Sequence, residues 1–170
     1  MKKLIFINGT MGVGKTTICK KLHQDIKHSC WLDGDWCWMM NPFCVTEENK
    51  VMVMNNIAYI LSSYLKNSTF EYVIFNWVMH QDAIISEILN RLDKNVEYQL
   101  YKITLVCSDR ELEHRIRRDI NAGIRDEDSL SRSLEKLPLY DSMDTIKVDV
   151  GCNDIEASAS IIKNIVGYHD

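Results

Sequence analysis

No stretch of this chain stays apolar long enough to cross a membrane. The first run, in MKKLIFINGT, holds four apolar residues before it meets a polar loop. That is too short for a span or a signal peptide, and the expectation is a cytoplasmic protein with no membrane partner. Proline is scarce, with two in 170 residues. There is no Pro-, Gly- or Ser-rich linker, no internal repeat and no low-complexity tract, so residues 1–170 read as one domain. The six cysteines include no C-x-x-C pair, and no histidine cluster completes a zinc set. Scattered thiols in a reducing compartment are expected, not a disulfide or metal scaffold. A basic surplus is also missing: the net charge is −4, which argues against a nucleic-acid backbone as the main partner.

What the chain does have is a regular alternation of short apolar runs and amphipathic stretches. KLIFIN (3–8), SCWLD (29–33), EYVIFNW (71–77), YQLYKITLVCS (98–108) and TIKVDV (145–150) read as strands. Residues 15–27, the stripe after Thr46, 83–92, 108–123 and 154–166 read as helices, with Ser108 or Asp109 and Gly123 as end signals. A short helix over 130–137 is expected to stop at Pro138, after a polar loop. Such alternation predicts an α/β fold with a mainly parallel sheet and right-handed crossovers.

Gly9-Thr10-Met11-Gly12-Val13-Gly14-Lys15-Thr16 fits G-x-x-x-x-G-K-[ST]. It lies after a buried strand and before a helix, as phosphate binding requires. Glycines let successive backbone N–H groups turn inward onto phosphate oxygens, with the helix N-terminus behind them. Gly9, Met11, Gly12, Val13, Gly14, Lys15, Thr16 and Thr17 are therefore candidate nucleotide-binding residues. Lys15 can reach the outer phosphates, and the Thr16 hydroxyl can ligate Mg²⁺. An N-K-x-D stretch and a D-x-x-G switch are both missing, which excludes a GTPase. The length leaves no room for the sensor subdomain of an assembly-type ATPase.

Together INGTMGVGKTT, LDGD, LEHRIRRDINAGIRD and VDVGCND resemble the small P-loop kinases. That group includes nucleoside-monophosphate, shikimate and gluconate kinases and the chloramphenicol- and tunicamycin-resistance proteins. The resemblance implies a five-stranded parallel sheet in the order 2-3-1-4-5, use of ATP and Mg²⁺, and a lid, here at about 119–132. It implies an ATP–Mg²⁺-dependent phosphotransferase acting on a small molecule or a nucleotide. An antibiotic acceptor, or a nucleotide-binding ATPase or sensor without a phosphorylated product, are the alternatives. Two departures stand out. Asn76 ends the third strand where many P-loop proteins carry an acid. Arg115 and Arg118 are three apart where lid-entry arginines are usually four apart, with Asp119 in the fourth place.

Asp33 and Asp35 fall at the carboxyl end of the second strand, the edge where ligands bind in open α/β sheets. Two residues apart in extended chain, they face one way. One reading is a solvated D-G turn. The other gives Asp33 to Mg²⁺, through water, and Asp35 to the acceptor hydroxyl as base. Trp36 and Trp38 beyond the strand end are either core or pocket wall, and Trp77 and His80 after the third strand are candidates for the same acceptor site. Six of the seven arginines lie between Arg110 and Arg132. Ion pairs along a helix explain some, Arg117 among them. Arg115 is a candidate for the nucleotide, and Arg118 and Arg125 for the charge that develops during transfer.

Overall fold

Alternate residues of β1 (Lys2–Asn8) feed two different cores. Leu4 and Phe6 enter one, Ile5 and Ile7 the other, and none of the four is exposed. A strand covered on both faces needs an unbroken apolar run, which explains why KLIFIN lacks polar alternation. The structure, a computed structural model, describes residues 1–169. Around β1 it forms one parallel sheet with β2 (Ser29–Asp33), β3 (Tyr72–Asn76), β4 (Tyr98–Val106) and β5 (Ile146–Asp149), in the order β2-β3-β1-β4-β5.

Helices α1 (Lys15–Asp25) and α6 (Ile155–Ile165) cover one face through Ile18, Leu22, Ala159 and Ile162. Helices α2 (Glu47–Lys66) and α3 (Asp82–Arg91) cover the other through Val53, Ile57, Leu61, Ile85 and Ile88. Helices α4 (Asp109–Asn121) and α5 (Ser129–Asp141) pair through Leu112, Ile116 and Leu137. No helix among the described residues is long and apolar enough to cross a membrane. All six cysteines are free thiols.

Two local features depart from the sequence reading. Residues Gly34–Trp38 form a 3-10 helix directly after β2, capped by Asp33, whose carboxylate accepts from Asp35 N. Helix α5 does not stop at Pro138 but carries it inside and runs to Asp141. Proline there gives up one backbone bond, at a cost of roughly 3 kcal/mol. Burial of Leu137 and Tyr140 on either side holds the helix through it, since packing outweighs propensity where a face is covered. The polar segment 119–132 divides into the last turn of α4, a connection over 122–128, and the first turn of α5.

Candidate active site

The sheet places a row of polar side chains at its carboxyl edge. Asp33 is in register with Asn76, Asn76 with Ile7, and Asn8 with Thr104. All four polar residues are buried, so each needs a partner. Asn8 uses its amide twice on one residue: Nδ2 donates to Met79 O at 2.7 Å, and Oδ1 accepts from Met79 N at 2.8 Å. This fastens the loop after β3 to the strand that feeds the glycine loop.

The loop itself is held from three sides. Gly12 has φ 86°, and a Cβ there would lie 2.6 Å from Ile116 Cγ1, so only glycine lets the loop pass under α4. Thr10 Oγ1 donates to Ser133 O of α5 at 3.0 Å. Arg115 donates to Val13 O at 2.8 Å and to Val150 O at 2.7 Å, while Glu111 holds its Nε. It therefore ties the glycine loop to the loop after β5. Helices α2, α4 and α6 are capped by their own Thr46, Ser108 and Asp154 side chains; α3 and α5 have no side-chain cap, and neither has α1, which starts at Gly14. Its first-turn N–H groups are left for an anion, which the helix dipole favours.

Lys15 Nζ bonds Gly9 O and Thr10 O, both at 2.9 Å. Burial pulls its pKa down to about 8, against the upward pull of Asp35 and Asp33. The carboxylates are thus close enough to act on the ammonium. Asp33, 3% exposed, accepts from Thr16 Oγ1 at 2.8 Å with one oxygen and from Asp35 N at 3.1 Å with the other. Asp35 stands at the surface, yet its carboxyl is crowded by protein. Burial is the first cause that raises its pKa and the Asp33 charge the second; Lys15, a hydrogen bond from Trp77, and Arg125 pull it down. A carboxylate with a raised pKa is a better base.

Gly34 fixes the Trp77 indole beside this pair. A Cβ on Gly34 would lie 2.5 Å from Trp77 Cγ and 2.9 Å from its Cβ. Gly34→Ala should therefore push the indole off Asp35 and destabilise the fold by about 1–3 kcal/mol. The expected fall in melting temperature is roughly 2–4 °C per kcal/mol, and an unchanged melt would refute the close packing.

The four tryptophans separate. Trp31 donates Nε1 to Asn76 Oδ1 at 2.6 Å and packs with Trp36 at 4.9 Å between ring centroids. Trp36, 50% exposed, thereby leans toward the α1 side of the sheet edge, where His23 also meets Trp31. Trp38 and Trp77 pack on the opposite core, under α2, with Phe43 5.8 Å from Trp38. His80 lies in the β3–α3 loop with Nδ1 buried and unpartnered among the described residues; burial and Lys136 of α5 lower its pKa. Arg125 is held by Asp119 at 2.9 Å, and its charge reaches both Lys15 and Asp35. The Arg118 side chain is 72% exposed and, among the described residues, meets Asp119 alone, at 3.6 Å, so it is not gathered with the others.

Sequence reading missed three of these links. The Trp31–Asn76 bond carries only a weak sign, an amide where an acid is usual. Thr10–Ser133 and Arg115–Val150 join residues far apart in the chain through backbone carbonyls, which leave no residue-type signal.

The model of the family described as AAA domain matches residues 5–135, most of the chain, and the protein belongs to that family. The match runs from β1 into α5; the residues after it complete the sheet with β5 and α6 rather than adding a sensor subdomain. No curated protein matches the chain in sequence. In structure it is similar to the tunicamycin resistance protein of Deinococcus radiodurans, at 17% identity and TM-score 0.71, over 99% of this chain and 98% of that one. It is similar to a gluconokinase from Sinorhizobium meliloti, at 14% identity and TM-score 0.64, over 98% and 94% of the two chains. A shikimate kinase from Bacteroides thetaiotaomicron gives 19% identity and TM-score 0.60, over 97% and 98%. The fold is that of the small P-loop kinases.

Proposed function

We propose that this protein is an ATP–Mg²⁺-dependent phosphotransferase that acts on a hydroxyl of a small-molecule or nucleotide acceptor. The observation that carries the reading is the meeting of Lys15, at an uncapped helix N-terminus, with the Asp33–Asp35 pair. A phosphate cradle alone describes a nucleotide-binding protein. A raised-pKa carboxylate beside it adds a base for an incoming alcohol.

In this reading the cradle N–H groups and Lys15 hold the outer phosphates of ATP. Asp35 takes the proton from the acceptor hydroxyl as its oxygen bonds to the γ-phosphorus and the bond to the β-phosphate oxygen breaks. Lys15 and Arg125 offset the charge on the transferred group. Arg115 keeps the glycine loop against the β5–α6 loop, where the base would lie. Arg118 joins when the 122–128 connection closes and excludes water.

Thr16 and Asp33 fit a magnesium site: their oxygens are 2.8 Å apart, both are hard donors, and Mg²⁺ takes only one or two protein carboxylates or hydroxyls beside phosphates and water. When bound, the ion neutralises phosphate charge. Asn76, a neutral amide, adds no charge, and its Oδ1 is occupied by the Trp31 indole N–H.

The test is ADP release from ATP–Mg²⁺ with and without an acceptor panel of nucleosides, nucleotides, sugars, shikimate, gluconate and tunicamycin, with product mass as second readout. The expected result is at least one acceptor that speeds ADP release and gains a phosphoryl group. Slow hydrolysis that no acceptor changes would instead identify a nucleotide-hydrolysing sensor, and an antibiotic acceptor a resistance phosphotransferase.

A further inference from the structure

From Asp33 to Asp82 the chain supplies the 3-10 helix, α2 and the β3–α3 loop, and in that whole stretch it has no arginine and only two lysines. Neither lysine is free. Lys50 Nζ lies 2.7 Å from Glu47 Oε1, and Lys66, in the last turn of α2, pairs with Asp93. The same stretch carries six acids: Asp33, Asp35, Glu47, Glu48, Glu71 and Asp82. His80 adds no charge, since its pKa is held below the ordinary histidine value. From facing elements, Arg91 of α3 is held by Asn55 and Glu87, Arg125 pairs with Asp119 while its charge reaches Asp35, Lys15 also acts on Asp35, Lys147 acts on Asp82, and Lys136 of α5 reaches His80.

An acceptor that carries a carboxylate or phosphate needs a cation or bidentate guanidinium to replace its water. Here it would meet the Asp35 carboxylate, and the stretch Asp33–Asp82 supplies no arginine to receive it. Like charges set face to face discriminate strongly against a ligand. What that side offers instead is flat apolar surface: Trp38 with Phe43, and Trp77 against Gly34 beside the Asp35 carboxylate. Phe43 is 66% exposed, with the Trp38 ring beside it.

We infer that the acceptor is an uncharged alcohol bearing an aromatic or similarly flat apolar group, taken up against Trp38, Phe43 and Trp77 with its hydroxyl toward Asp35. The inference rests on the phosphotransferase reading and narrows it. Ring stacking on the tryptophans supplies affinity. The missing cation supplies selection, because it turns away anionic acceptors that would otherwise fit. Lys136, through His80, and Arg125, whose charge reaches Asp35, are the cations that could weaken that selection.

The experiment uses acceptors matched in all but charge. One set is 4-(hydroxymethyl)benzamide, 4-(hydroxymethyl)benzoate and 4-(aminomethyl)benzyl alcohol. A second is uridine with its 5′-monophosphate and adenosine with its 5′-monophosphate. Gluconate and shikimate form a non-aromatic anionic arm. ADP release and product mass are read for each. The expected result is a kcat/KM for the neutral aromatic members at least about tenfold above their anionic partners, a difference of roughly 1.4 kcal/mol. Equal or better use of the benzoate or of a monophosphate overturns the inference. Loss of that use in Lys136→Met would then identify the cation responsible. Preference for the amine overturns it in the other direction. If no aromatic member is used but gluconate or shikimate is, the inference falls and the kinase reading stands. If nothing is used, both fall.

Discussion

Lys15→Met should remove most of the stabilisation that ATP gives the wild-type protein while leaving the unliganded fold nearly as stable. The ammonium bonds Gly9 O and Thr10 O in the free protein, so its loss leaves two carbonyls to water. Against that cost, a charge pulled down to a pKa of about 8 by burial no longer has to be housed. The two effects oppose, and the free melt should move little. With nucleotide the balance is one-sided. Each charge-assisted hydrogen bond to phosphate contributes about 1.5–3 kcal/mol, so affinity should fall by about 10² or more. At 100 Kd a ligand stabilises its protein by about 2.7 kcal/mol, and most of that thermal shift should vanish in the variant. An undiminished shift would sink the assignment of Gly9–Thr16 as the phosphate cradle.

The same lysine sets one limb of the pH dependence. Its folded pKa, about 8, is below the ordinary lysine value, so in the free enzyme the charged form is lost as pH rises through about 8. In kcat/KM for ATP, which reports the free enzyme, activity should fall on that alkaline side. Asp35 sets the other limb: its pKa is raised, and it must be ionised to accept a proton, so activity should climb as pH rises through a value above the ordinary aspartate one. In kcat the alkaline limb should move up, because bound phosphate favours the charged lysine.

Much of this arrangement is written locally. The run KLIFIN must be covered on both faces, GTMGVGKTT must follow it, and Ile18, Cys19, Leu22 and Ile26 keep helical spacing after that, so β1, the cradle and α1 are legible from residues 3–27. The sheet order came from family resemblance, since parallel strands are paired by crossovers that no single stretch encodes. What escaped the sequence is tertiary. Pro138 reads as a stop until Leu137 and Tyr140 are seen to be buried. Trp36 and Trp38 look equivalent, two residues apart, but the 3-10 helix sends them to different sides of the sheet edge. A strand continued past Asp33 would have kept them on one side. Arginines 115, 118 and 125 share a residue type but not a setting: one is bonded to two carbonyls, one is exposed, one acts on Lys15 and Asp35.

Asp35→Asn should lower acceptor-dependent turnover by about 10²–10⁴ while ATP still binds. The carboxamide has the same shape, and its oxygen can still accept from Trp77, so the 3-10 helix and its Asp33 cap should persist. What it cannot do is take a proton. The acidic limb of the pH profile should disappear with it. A second consequence separates this role from a merely structural one. Asp35 is the first of the charges that raise the Lys15 pKa, so without it that pKa should drop below its present value of about 8. The alkaline limb should therefore shift to lower pH, although the mutated residue is not the one that titrates there. Loss of turnover with both limbs unmoved would mean that Asp35 merely shapes the site. Full turnover in the variant would mean that the acceptor proton leaves by another route, and that the carboxylate beside Lys15 is not the base.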